Sequence, residues 1–181
     1  MDDSKLVELA RRGDARAYGT LVERHQTRTY ATLRKLTGDH DLAMDIAQDA
    51  FLSMLRKLPD YDVRLSHPFR VLLFRIARNR LIDLHRRRKR RGEVDLSETL
   101  STALANPQVL AERALERGQL QVALKHLTEE QRQVIVLKFI QGFDNRSVGR
   151  ILGRSEGAVK SLQHRALGAL RRILYPDGRR T

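Results

Sequence analysis

The chain of 181 residues contains no cysteine and no tryptophan. Without cysteine there is no disulfide, no thiol chemistry and no cysteine-ligated zinc. Proline and glycine are scarce, at four and eleven, and no β-rich segment alternates apolar with polar residues. The expected fold is therefore all-α. No apolar run approaches the ~20 residues that cross a bilayer. The N-terminus, MDDSKLVELARRGD, is charged and amphipathic, with no apolar signal region. A cytoplasmic protein without membrane insertion is the expectation. Negative charge is also short, at 22 Asp and Glu against 35 Lys and Arg. The formal net charge of +13 points to a polyanionic partner.

That charge is unevenly placed. Arg75 to Arg91 holds nine Arg or Lys against the single Asp83. The next stretch, Gly92 to Gln108, has Glu93, Asp95 and Glu98, no basic residue, and the turn signal Asn106-Pro107. A domain boundary falls here. About 17 extended residues reach roughly 55–60 Å, more than the roughly 34–36 Å of one DNA turn. Two modules could thus occupy separated sites on one duplex, and an acidic tether is an equally open reading. The predicted architecture is two small helical domains joined by a flexible linker. Their spans are 1–91 and 112–175, with the linker at 92–111 and a basic tail at 176–181.

Four helices are predicted in the N-terminal half. The first runs from about Ser4 to Arg12 and ends at Gly13. Asp14 caps a second that runs to Thr37, with Gly38 as its stop. A third covers about His40 to Lys57 before Pro59, and Pro68 opens a fourth that continues into the arginine cluster. Stripes such as Leu6/Leu9, Leu21/Val22, Ile46/Ala50/Met54 and Leu73/Ile76/Ala77 supply one compact core.

On the third helix, Ala43, Met44, Ile46, Ala47, Ala50, Phe51 and Met54 are read as the core side. Asp45, Gln48 and Asp49, at i, i+3 and i+4, share the opposite face, bordered by Leu42 and Leu52. An acidic face with apolar edges suits docking of a basic helical partner, and equally suits a solvated face.

The segment Asp144 to Leu174 has the layout of a helix-turn-helix. One helix starts near Asn145 and ends at Gly153, where a left-handed residue is cheap. Ser155 caps the next. There Val159, Leu162, Ala166, Leu170 and Ile173 fall on one side, and Lys160, Ser161, His164, Arg165, Gly168, Arg171 and Arg172 on the other. The basic, hydrogen-bonding side suits a major groove, and an ordinary solvated basic face is the bland alternative. Upstream, Thr128 to Gln131 form a capping box. The helix it starts is expected to bury Val134, Ile135, Leu137 and Phe139.

Catalysis finds little support. Asp39-His40-Asp41 invites a metal reading, but it lies at a helix start where Asp caps are common. There is no Glu-x-x-His pair, phosphate-cradling glycine loop or supported Ser/His/Asp arrangement. No catalytic residue, metal ligand or cofactor is assigned. A simple helix-turn-helix repressor or activator is one reading that these features allow.

Three segments carry a family resemblance. LAMDIAQDAF resembles the A-E-D-[LIV]-x-Q-[ED]-x-F signature of bacterial sigma factors of the extracytoplasmic function (ECF) group, group IV of the primary-sigma-like family. IARNRLIDLHRRRKRR resembles that family's I-A-x-N-x-x-x-D-x-x-R-R-x run at the same distance downstream. LTEEQRQVIVLKFIQGFDNRSVGRILGRSEGAVKSLQHRALGALRR resembles its region 4 throughout. The resemblance implies a factor that binds core RNA polymerase and directs it to promoters. Region 2 (about Ser4 to Arg91) would open the −10 element, and region 4 (about Glu112 to Leu174) would read the −35 element.

Carried over by position, Asp45, Gln48 and Asp49 match the residues that grip the clamp helices of the largest polymerase subunit. Part of region 4 would also dock on the β-subunit flap. Lys160, Ser161, His164 and Arg165 match the −35 contacts, joined by Arg154 and Ser155 of the turn. Lys160 and Arg165 can donate to guanine or phosphate, while Arg171 and Arg172 would touch backbone at most. Opening DNA requires trapping unstacked bases. The resemblance puts that pocket at the loop before the fourth helix, where Tyr61, His67 and Phe69 lie, with core packing the alternative for Tyr61 and Phe69. Arg75, Arg78, Asn79 and Arg80 would follow the strand, and Arg86 to Arg91 would add salt-dependent phosphate binding. Asp83 would orient neighbouring arginines. Many members are held inactive by an anti-sigma protein, so such a partner is a candidate.

The chain departs from the family pattern at Met44 for glutamate and near Val71 for tryptophan. Lys160 and Leu162 replace arginines, and Arg146-Ser147-Val148-Gly149 replaces acidic residues. A promoter sequence cannot be borrowed from another member.

Overall fold

The computed structural model describes residues 1–61, 68–90 and 118–175. Every regular element among them is helical. The N-terminal half contains α1 (Asp3–Arg11), α2 (Ala15–Thr37), α3 (His40–Lys57) and α4 (Phe69–Arg90). The C-terminal half contains a helical stretch at 118–125 (α5), then α6 (Glu129–Ile135), which runs into a π-helical turn at Val136–Ile140. After it come α7 (Asn145–Leu152) and α8 (Glu156–Leu174). His67, Arg91, the linker at 92–111, the first residues of the expected second domain and the tail at 176–181 lie outside the described residues.

Local chemistry sets the helix ends. Asp14 accepts from the backbone N–H groups of Arg16 and Ala17, at 2.9 and 3.1 Å, and so starts α2. Gly38 ends it in the left-handed conformation at φ 74°. Asp39 caps α3 through Leu42 N–H at 3.0 Å, and His40 bonds Tyr30, so Asp39-His40-Asp41 is a helix start here. Thr128 and Gln131 cap each other reciprocally at the start of α6.

The N-terminal bundle packs α1, α2, α3 and α4 around Leu21, Leu33, Ile46, Met54, Leu58, Leu73 and Leu81, each essentially inaccessible to water. α3 corrects one expectation: Met44 is 52% exposed and belongs to the outer face. At 100° per residue it lies beside Gln48, outside the stripe of Ala43, Ile46, Ala47, Ala50 and Met54. A second correction falls at Phe139, which is 53% exposed. The π-helical turn adds a residue to the turn and rotates the register, so Val136 and Leu137 go inward and Phe139 points out.

The two halves also pack against each other, which the sequence does not predict. Val71 and Phe74 of α4 are buried in one cluster with Val134, Leu137, Phe143, Val148, Ile151, Leu152, Val159 and Leu162 of the C-terminal half. The reason lies in α4, whose apolar residues extend over more than the side facing α3. The surplus needs a second cover, and burying a Val or Phe side chain is worth about 1.5–3 kcal/mol.

Candidate nucleic-acid interface and docking face

The helix-turn-helix is built from short-range chemistry. Asp144 starts α7 by accepting from Ser147 N–H at 2.7 Å. These hydrogen bonds favour the carboxylate and lower its pKa. Gly153 turns the chain at φ 64°, and the Ser155 hydroxyl caps α8 through Ala158 N–H at 3.2 Å. α8 then buries Val159, Leu162, Ala166 and Leu170 and leaves Lys160, Ser161, His164 and Arg165 exposed on the outer side.

Two of the expected contacts are engaged within the protein. Arg154 pairs with Glu130 of α6, and Ser155 spends its hydroxyl on the cap. Lys160 lies 3.5 Å from Glu156 with both side chains open to solvent, a pair too exposed and weak to hold it back from a phosphate.

The α3 face is also open. Asp45, Gln48 and Asp49 are all exposed, as are Met44 and Leu52 beside them. Next to them lies a groove of about 510 Å³ whose floor includes Ala47 and Phe51 of α3 and whose other wall is α2, with Tyr18, Val22 and Tyr30. Sequence reading missed the α2 contribution. Its signal was the pair Tyr18 and Val22, one helical turn apart. Tyr18 donates its hydroxyl to the Phe51 carbonyl, and burial pushes its phenol up to about 12. The groove wall is thereby tied to α3.

The residues expected near the −10 element separate into distinct environments. Phe69 is 4% exposed, with its ring 5.3 Å from that of His25, which is held by Asp3 at 2.7 Å. It serves the core in this arrangement. Tyr61 is half-buried against the same core. Arg75 and Asn79 are exposed on one stripe of α4, which Arg86 and Arg90 continue. Arg80 reaches Ser53 Oγ at 3.3 Å.

A different stripe of α4 faces the C-terminal half. Arg78 donates from Nε to Gln133 Oε1 at 2.9 Å, and Arg70 donates to the Gln141 carbonyl at 3.0 Å. Burial lowers the pKa of both guanidiniums, and the nearby Arg28 adds to the effect at Arg70. The Arg70 guanidinium also sits over the Phe143 ring at 4.7 Å. Among the described residues, no group of three or more His, Cys, Asp or Glu is placed to hold a metal. No described helix is long and apolar enough to cross a membrane.

Comparison with known proteins points to one family. Residues 21–91 match the model of Sigma-70 region 2, and residues 117–170 match that of Sigma-70, region 4. The ECF RNA polymerase sigma factor BldN of Streptomyces coelicolor is 30% identical over 97% of this chain and 67% of its own length. The RNA polymerase sigma factor CnrH of Cupriavidus metallidurans is 30% identical over 97% of this chain and 95% of its own. The solved structure of CnrH in complex with the cytosolic domain of CnrY superposes with a TM-score of 0.75. That match covers 97% of this chain and 99% of the other, at 30% identity.

Proposed function

Because the chain belongs to the ECF RNA polymerase sigma factors, we propose a division of its promoter-directing work between two exposed faces. Residues 1–91 hold core polymerase and open the −10 element, and residues 112–175 read the −35 element. Asp45, Gln48 and Asp49 contact the clamp helices of the largest subunit, with Met44, Leu52 and the α2–α3 groove supplying apolar area at the centre of the contact. Lys160, Ser161, His164 and Arg165 enter the major groove, where Lys and Arg donate to guanine or phosphate and Ser and His make shorter hydrogen bonds. Arg75, Arg78, Asn79 and Arg80 track the separated strand. Region 4 also meets the β-subunit flap, an anti-sigma protein is a candidate partner, and the site of action is the cytoplasm. No catalytic step is assigned to the chain, since polymerase performs the chemistry.

One observation carries this reading. The docking face on α3 and the recognition face on α8 are exposed at the same time and lie in different halves, so one chain can hold the enzyme and the DNA together.

The test is transcription by purified core polymerase on genomic promoter DNA, with and without the protein. A promoter-specific transcript should depend on it, and Asp45→Arg or Asp49→Arg should abolish both the transcript and polymerase association. Without such a transcript, and with polymerase association unchanged in both variants, the reading fails.

A further inference from the structure

Glu130 of α6 and Arg154 of the turn before α8 form an ion pair across 24 positions of the chain. Both ends are held by their neighbours. Arg154 stands between Gly153, left-handed at φ 64°, and Ser155, the cap of α8. Glu130 lies in the first turn of α6, which the reciprocal Thr128–Gln131 cap holds at 3.2 and 3.4 Å. The adjacent Glu129 is engaged within α6, where it accepts from Gln133 at 2.6 Å and pairs with Arg132. Of the two acids in that turn, Glu130 is the one that forms its ion pair with another element.

An exposed pair ordinarily contributes little, because two long side chains must be ordered to make it. These side chains are 50% and 45% exposed, but their backbones are preset, so less ordering remains. The direction of the pair matters more than its strength. α6 packs on the apolar side of α8: its Val134 shares a cluster with Val159 and Leu162, and its Ile135 shares one with Ala166 and Leu170. Arg154 therefore reaches back toward the scaffold that carries α8, while Lys160, Ser161, His164 and Arg165 face outward. It fastens the N-terminal end of α8, the end from which a recognition helix meets base edges.

We propose that Glu130 and Arg154 are positioning residues for sequence reading: the pair pins the start of α8 to α6 and sets the angle at which Lys160 and Arg165 meet the bases. The inference rests on the assignment of α8 to duplex DNA. Contacts to bases require a fixed angle, since a bidentate donor must meet two acceptors on one base edge. Contacts to phosphate carry no sequence information and tolerate a small tilt. Loosening the pair therefore lowers discrimination between sequences and leaves the general affinity for DNA. Arg154 itself neutralises no phosphate in this role.

The test uses core polymerase loaded with the full-length chain and two fluorescent duplexes. One is enriched by the wild-type complex from a pool randomised over the −35 region, and the other is of mixed sequence. Glu130→Gln and Arg154→Ala should each lower the ratio of the two affinities about 2–5-fold. The exchanged pair, Glu130→Arg with Arg154→Glu, should restore the ratio, because complementary charges meet again with the ends reversed. Arg154→Ala should leave the salt slope on the enriched duplex unchanged, whereas loss of a phosphate contact flattens it by about one. An unchanged ratio in Glu130→Gln, a flattened slope in Arg154→Ala, or no recovery in the exchanged pair overturns the positioning role. If the wild-type complex enriches no sequence over the −35 region, the reading of α8 fails and the inference with it. That outcome is distinguishable, because it is seen before any variant is made.

Discussion

Gly149 and Arg154 meet through backbone alone: a Cβ at Gly149 would lie 2.7 Å from the Arg154 carbonyl oxygen. The Gly149 carbonyl also accepts from Arg154 N–H at 2.9 Å. The turn of the helix-turn-helix is thus closed around a missing side chain. Backbone cannot swing aside as a flexible side chain can. Gly149→Ala should cost about 1–3 kcal/mol, the range for overpacking, seen as a lower midpoint in thermal unfolding. Duplex affinity should fall with it, because the turn sets the angle of α8. An unchanged midpoint would mean that the turn tolerates the extra carbon.

The recognition face proposed for α8 carries its own expected salt dependence. Lys160→Ala combined with Arg165→Ala should weaken −35-dependent initiation by about 1–3 kcal/mol for each base that is no longer read. The salt slope should flatten by about one for each phosphate no longer neutralised. Core polymerase association should stay intact. Loss of polymerase binding in this variant would contradict the division of work between α3 and α8.

Tyr18 makes stability depend on pH at the alkaline end. Its phenol ionises near 10 in an unfolded chain and near 12 in the folded one. The folded state therefore keeps its proton over a range where the unfolded state has lost it. This contribution is whole below about pH 10 and disappears as pH rises toward about 12. Tyr18→Phe should remove the corresponding part of the slope in denaturant midpoint against pH. In the parent protein the Tyr18 phenolate should appear only near pH 12 by absorbance difference against Tyr18→Phe, and its appearance near pH 10 would contradict the burial.

The π-helical turn parts Val136 and Phe139, which a straight α-helix would keep on one face as neighbours at i and i+3. Phe139→Ser should change stability by less than about 0.5 kcal/mol, as surface positions usually do. Val136→Ala, at a fully buried position, should cost about 1–3 kcal/mol. Denaturant unfolding of the two variants distinguishes the registers.

Helix boundaries were largely legible in the sequence, because caps are local chemistry. Asp14, Gly38, the Thr128–Gln131 box, Gly153 and Ser155 all act within four residues of themselves. The outer face of α8 was legible for the same reason. Met44 and Phe139 were misplaced because hydrophobicity alone put them inside, and an ideal period cannot anticipate a π-helical turn. The α2 wall of the docking groove and the α4–α7 contact join residues far apart in the chain, which periodicity does not encode. α4 did carry a hint of the latter: Val71, Leu72, Leu73, Phe74, Ile76 and Ala77 cover more of a helix than one neighbour can bury.

The apolar cluster shared by Val71, Phe74, Leu137 and Phe143 has a consequence for the lifetime of the protein. Whenever the halves separate without a partner in place, these side chains face water together. Such a state is the natural substrate of cellular proteases, and its steady-state population sets the rate of degradation when opening and reclosing are fast. The contact between the halves would then set how long the chain survives, apart from what its exposed faces bind.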